Sequence, residues 1–162
     1  MSKRIICVLL LCIYLPVYAQ EPPPRPVSVT VDPSQGLIFG AFFQGISGGS
    51  VIIYPDGSRS VTGSVVQANL GFLFSPAIFE IDANRGTLIS ILNGPDVSLT
   101  GSNGGSIQFH IGASNLGAQF ITTATSPART QVRIGGTLTI GSPMANPSGS
   151  YSGIFSVTFI QE

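Results

Sequence analysis

Ser47 stands in Gly45-Ile-Ser-Gly-Gly49, a glycine-rich setting of the kind that surrounds a nucleophilic serine. Such a nucleophile needs a general base and a carboxylate that orients the base. The only histidine, His110, lies well downstream, opposite to the order of a trypsin-like triad, so the segment reads as a flexible Gly-Ser loop. His110 alternates with Phe109 and Ile111 and shares the Gln108 side of its strand, which makes it solvent-facing. There is no second histidine, and both cysteines, Cys7 and Cys12, lie in the first dozen residues. A transition-metal site therefore has no ligand set to draw on.

Asp82-Ala-Asn84-Arg-Gly86-Thr87 has the D-x-N-x-G opening of a calcium loop. The distal bidentate glutamate and the flanking helices of an EF-hand are missing, so the segment reads as a β-turn; if calcium stabilises the domain, Asp82 is the first place to look. Glu80 and Asp82 lie on one face of one strand, not across a cleft as paired glycosidase carboxylates do, and read as a solvated face. A sugar-stacking platform is poorly supplied as well. There is no Trp, and the phenylalanines fall mostly at alternating positions that suit a core. From these residues we expect no catalytic residue, no cofactor and no bound metal, and hence no enzyme.

The elements that would position these side chains follow from the rest of the chain. Lys3 and Arg4, the apolar run from Ile5, and Val17-Tyr18-Ala19 have the pattern of a secretory signal with a cleavage site, so residues 1–19 are expected to be removed and Gln20 to begin the mature chain. That chain is expected to be exported, through the periplasm in transit, to the cell surface or outside, with no membrane insertion after cleavage. It would carry no thiol, leaving a core of about 140 residues to hold the fold alone. With Lys3 and Arg4 gone, five arginines face seven acidic residues, a net charge of −2, and no lysine remains. This lacks the basic footprint that nucleic acid requires and the charge that docks proteins on anionic lipid.

Residues 20–36 form a leader. Pro22-Pro-Pro-Arg-Pro26 is extended by composition, and Val27-Ser-Val-Thr-Val31 alternates with Val27, Val29 and Val31 on one face. Asp32-Pro-Ser-Gln-Gly36 then supplies turn chemistry. The domain proper spans residues 37–162. Strands are expected at 37–44, kinked at Gly40, then at 51–54 and 59–62, joined by the Pro55-Asp-Gly-Ser58 turn. Others follow at 64–69, 77–82, 87–92, 97–100, 106–111, 119–123, 131–140 and 151–160. No window of the mature chain keeps a 3.6-residue apolar period, and strands recur about every ten residues between turn signals, which predicts an all-β antiparallel sandwich. The cleanest strand is the last: Tyr151, Phe155, Val157 and Phe159 share one side of a period-two pattern, with Ser152, Ser156 and Thr158 on the other. Burying such side chains contributes roughly 1.5–3 kcal/mol each, so this strand must be paired in a sheet.

Gly135-Gly-Thr-Leu138 and Gly149-Ser-Tyr-Ser-Gly-Ile-Phe-Ser-Val157-Thr, together with Phe39-Gly40 and the Pro55–Ser60 hairpin, resemble the DUF4402 family of exported bacterial β-domains over about Leu37 to Gln161. More loosely, that family is similar to spore-coat-U and chaperone–usher pilin domains. The resemblance implies an immunoglobulin-like or pilin-like sandwich. In pilins a glycine near the C-terminus precedes an alternating strand that pairs with the assembly chaperone, and Gly149, Tyr151, Phe155, Val157 and Phe159 match that arrangement. The chain departs from many pilins in lacking a mature disulfide and in its Pro-rich leader.

A sandwich short of one strand presents an apolar groove and an unpaired edge, which strand addition from a neighbour would fill. Val27, Val29 and Val31 have the composition of a donor, with Pro22–Pro26 as a spacer. The alternative is that they form the first strand of their own sandwich, and the short turn at 32–36 favours that pairing. Two functions are therefore carried forward. One is a secreted non-catalytic structural or adhesive surface protein, in the manner of a pilin-like subunit, partnered by its own copies, a periplasmic chaperone or other surface subunits. The other is a monomeric extracellular β-sandwich module that binds glycan or a surface partner through its loops, with Gly101–Gly105 and Gly112–Gly117 as the loops to inspect.

Overall fold

The computed structural model describes residues 28–31, in their backbone only, and residues 35–68, 70–125 and 127–162. The expected signal segment, the Pro-rich tract and Val27 lie outside the described residues. Runs of β-branched and aromatic residues between Gly, Pro and Asn form β1 (Ser28–Val31), β2 (Phe42–Phe43), β3 (Gly49–Ile53), β4 (Arg59–Gly63), β5 (Val66–Gln67), β6 (Ala77–Asp82) and β7 (Leu88–Asn93). They continue with β8 (Val97–Gly101), β9 (Ser106–Ser114), β10 (Gln119–Ile121), β11 (Thr130–Ile140), β12 (Tyr151–Ser152) and β13 (Val157–Gln161). Among the described residues no helix is long and apolar enough to cross a membrane.

The main layer is built on β11. One flank pairs with β9, with a register shift between Ile134 and Gly136. The other flank is shared: Thr130–Ile134 pair with β6, and Gly136–Ile140 pair with β3. From there the sheet extends through β6 to β1, through β3 to β4, and through β9 and β8 to β12. The β3–β4 hairpin closes on the Pro-Asp-Gly turn, with Tyr54 N donating to Ser58 O at 2.9 Å and Gly57 N to Tyr54 O at 2.9 Å. Period-two alternation sends Ile107, Phe109 and Ile111 of β9 and Val132, Ile134, Leu138 and Ile140 of β11 to one side, where all are buried.

Over that side lies a smaller antiparallel sheet, β10-β7-β13, and beside it the two-stranded pair β2-β5. Ile89 and Phe120 of the small sheet are buried, and Val157 and Phe159 pack against the same core. The layers meet through aromatic rings: Phe79 of β6 lies 5.3 Å from Phe159, and Phe109 of β9 lies 5.3 Å from Phe155 and 5.9 Å from Phe39. The chain is thus an all-β antiparallel sandwich.

Two expected strands are divided. The final run does not stay in one sheet: β12 pairs with β8 of the main layer, whereas β13 pairs with β7 of the small one. The break falls at Gly153, where a Cβ would stand 2.6 Å from Leu99 Cδ2; a side chain there would have to push the Leu99 side chain aside, and glycine lets the chain pass close to β8 as it crosses between layers. The alternation survives the crossing, because Tyr151, Phe155, Val157 and Phe159 all still pack on the core. In the 37–44 segment only Phe42–Phe43 are strand, with an isolated bridge between Ile38 and Ser75. Gly40, at φ 71°, turns the backbone between the two.

Candidate interaction groove

The small layer does not cover the whole core. Between the segment Leu37–Gln44 and the segment Pro143–Phe155 runs a groove of about 800 Å³, floored by Leu99, Ile107, Phe109, Leu138 and Ile140. Among the described residues no charged side chain lines it. Phe43 and Leu73 at its mouth are 59% and 80% exposed, so large apolar surfaces face solvent where the sandwich is open.

Both walls are held in place by specific bonds. Arg59 of β4 donates from Nη1 to the carbonyls of Phe39, at 2.9 Å, and Ala41, at 3.2 Å, while its guanidinium lies 4.4 Å over the ring of Phe74. These bonds fix the backbone around Gly40. On the opposite wall Asn146 is buried: its side-chain oxygen accepts from Gly141 N and its side-chain nitrogen donates to Ser106 O. Tyr151 Oη donates to Pro147 O at 2.6 Å, and Asn103 Nδ2 to Ser148 O at 2.7 Å. Gln44 Nε2 donates to Gly141 O at 2.6 Å, joining the two walls at one end. The groove is therefore a built feature and not slack between loops.

Beyond Phe155 the chain continues into β13, which among the described residues has a neighbour on one side only. Gly94 N donates to Ser156 O at 2.9 Å and Glu162 N to Leu88 O at 3.1 Å. With the register Val157↔Asn93, these bonds make Thr158 and Ile160 the residues that bond to β7. The backbone N–H and C=O of Val157, Phe159 and Gln161 consequently point away from it, and among the described residues no backbone bond meets them. Nothing in Val-Thr-Phe-Ile-Gln guards this edge, since it holds neither charge nor proline.

The residues expected from sequence fall as follows. Tyr151, Phe155, Val157 and Phe159 are brought together on one side, and Gly149 lies in the loop that forms the second wall. The backbone at Val29 and Val31 pairs with Ile81 and Phe79 of the same chain. Ser47 is an exposed loop residue whose N–H donates to Ser64 Oγ at 3.1 Å. His110 lies on the outer face of β9, and its hydrogen bond, at 2.6 Å, goes to Asp96. Glu80 pairs with Arg129 at 3.3 Å. In the turn after Asp82, the Asn84 carbonyl accepts from buried Thr122 Oγ1 at 2.5 Å and from Thr87 N at 3.2 Å; that oxygen is engaged in tying β10 to the turn.

Sequence reasoning missed Arg59 and Asn146 as the clamps of the two walls. Arg59 is one of few charges in the chain, which is a faint signal. Asn146, in Met144-Ala-Asn-Pro147, looks like any other turn residue.

A family model described as a domain of unknown function, DUF4402, matches residues 29–160. No curated protein matches the chain. No solved structure matches it either.

Proposed function

Since the chain belongs to the DUF4402 family, whose description assigns no activity, we propose its role from the groove: a secreted, non-catalytic structural or adhesive surface subunit that assembles by strand addition. The observation that carries this reading is the incomplete second layer, an uncharged groove with fixed walls whose second wall is followed in the chain by β13, the last strand of its sheet among the described residues. An added strand supplies what both parts lack. Its backbone meets the outward N–H and C=O groups of β13, and its alternate side chains cover Phe109, Leu99 and Leu138. The pattern of residues 1–19, which has the composition of an export signal, supports assembly outside the cytoplasm in this reading, with a periplasmic chaperone or another surface subunit as an occupant in transit.

The test is the oligomeric state of the protein beginning at Gln20, by light scattering over a wide concentration range and by unboiled SDS gels. A ladder of SDS-resistant species that collapses on boiling is expected. A protein that remains monomeric at the highest concentration would overturn the reading.

A further inference from the structure

We propose that Arg59 heads a binding site for an alkyl carboxylate: its guanidinium takes the charged head of the acid, and the alkyl chain runs past Phe72 and Leu73 into the apolar groove. The site is distinct from the backbone edge of β13, and it takes its ligand whether or not an added strand assembles the protein.

Arg59 is a cation that its own chain leaves unanswered. Both of its side-chain hydrogen bonds leave from Nη1, to the carbonyls of Phe39 and Ala41, and among the described residues no carboxylate pairs with it. The acid nearest to it in sequence, Asp56, is engaged with Ser58. Its Nε is buried and has no partner. Charge taken out of water is ordinarily paired, and an orphaned N–H of this kind marks a place where a partner is missing. What remains is the edge of the guanidinium formed by Nε and Nη2, which can donate to both oxygens of one carboxylate. Nη1 is committed and the Phe74 ring lies 4.4 Å from the guanidinium carbon, so the fork is oriented before a ligand arrives.

Beside Arg59 lies a second cavity, of about 390 Å³, lined otherwise by Ala68, Gly71, Phe72, Leu73 and Phe74. That size falls within the range of small-molecule sites. Phe72 and Leu73 also line the large groove, so the two cavities meet at these side chains, which are 64% and 80% exposed. A compact, wholly polar anion would leave this apolar lining bare, and an uncharged chain would leave Arg59 unpaired. An acid with one charged head and a long alkyl chain answers both, since each methylene it buries strengthens binding. The chain then lies over the floor that an added strand would cover, so acid and strand exclude one another; this consequence alone rests on the strand-addition reading.

Decanoate is the probe, titrated below its micelle-forming concentration into dilute protein beginning at Gln20, by calorimetry and by NMR of the arginine Nε–H groups. Saturable binding is expected, about tenfold tighter than that of decanol because the head adds charge-assisted bonds, with no binding of acetate at the same concentration. Of the five arginines from Gln20 onward, one Nε–H resonance should move, the one missing from Arg59→Lys. Leu73→Glu, at a position exposed enough to spare the fold, should weaken decanoate about tenfold by like-charge repulsion and decanol far less. Equal affinity for decanoate and decanol, an unmoved Arg59 resonance, or no binding of either compound would overturn the inference. None of these outcomes bears on strand addition, which the oligomeric state decides.

Discussion

The ring of Phe159, in the last strand, lies 5.3 Å from that of Phe79 on β6 and is tilted 56° to it. This contact joins the end of the chain to the main layer across the core. Phe159→Ala is expected to destabilise the protein by about 2–3 kcal/mol, somewhat below the usual range for a fully buried phenylalanine because Phe159 is half-buried. Urea denaturation of the variant checks it, and removal of residues 151–162 should abolish the cooperative transition.

Arg59 holds one wall of the groove through two carbonyls and the Phe74 ring. Lysine offers a point charge without the planar fork, so Arg59→Lys is not conservative here. We expect a loss of about 1–3 kcal/mol, from charge-assisted bonds in a partly buried setting, together with faster hydrogen exchange at residues 39–42. Exchange mass spectrometry separates this local opening from a general loss of stability.

Asn146 is the corresponding clamp of the other wall. Asn146→Ala leaves the Gly141 N–H and the Ser106 carbonyl without their partner, and one unsatisfied buried group costs about 1–3 kcal/mol. The expected thermal shift is downward, with the loop 142–150 becoming sensitive to protease before the sheets unfold.

Phe43→Arg tests the mouth of the groove. The side chain is 59% exposed, so the melting temperature should hardly change. A cation at the entrance to an uncharged groove should nevertheless suppress self-association, and light scattering on matched samples reads the difference.

The turn of the β3–β4 hairpin carries a pH response. Asp56 Oδ1 accepts from Ser58 Oγ at 2.6 Å and from Ser58 N at 2.8 Å, and these bonds hold its carboxyl below the ordinary aspartate range. A carboxyl whose pKa is lowered on folding adds stability that is present above its unfolded pKa and is lost as the pH falls through the folded one. An NMR titration should place the Asp56 midpoint below that of the same residue in a peptide. Ser58→Ala should move it back up.

The strands were legible in the sequence because their causes are local. Alternation of Ile107, Phe109 and Ile111 with polar neighbours determines which face of β9 is buried, and Pro55-Asp-Gly determines where β3 turns into β4. The sequence also determined the family, through the glycine-rich closing run, and the sparseness of charge. What only the tertiary structure decided was the division of the last run at Gly153, because that break depends on how close β8 passes and not on any neighbour in the chain. It likewise decided that one flank of β11 is shared between β6 and β3, and that the second layer stops short beside β13. A groove exists only where segments distant in sequence, Leu37–Gln44 and Pro143–Phe155, are held apart over a common floor. Arg59 and Asn146 fix that separation by long-range bonds, which leave no periodicity for a reader of the chain to find.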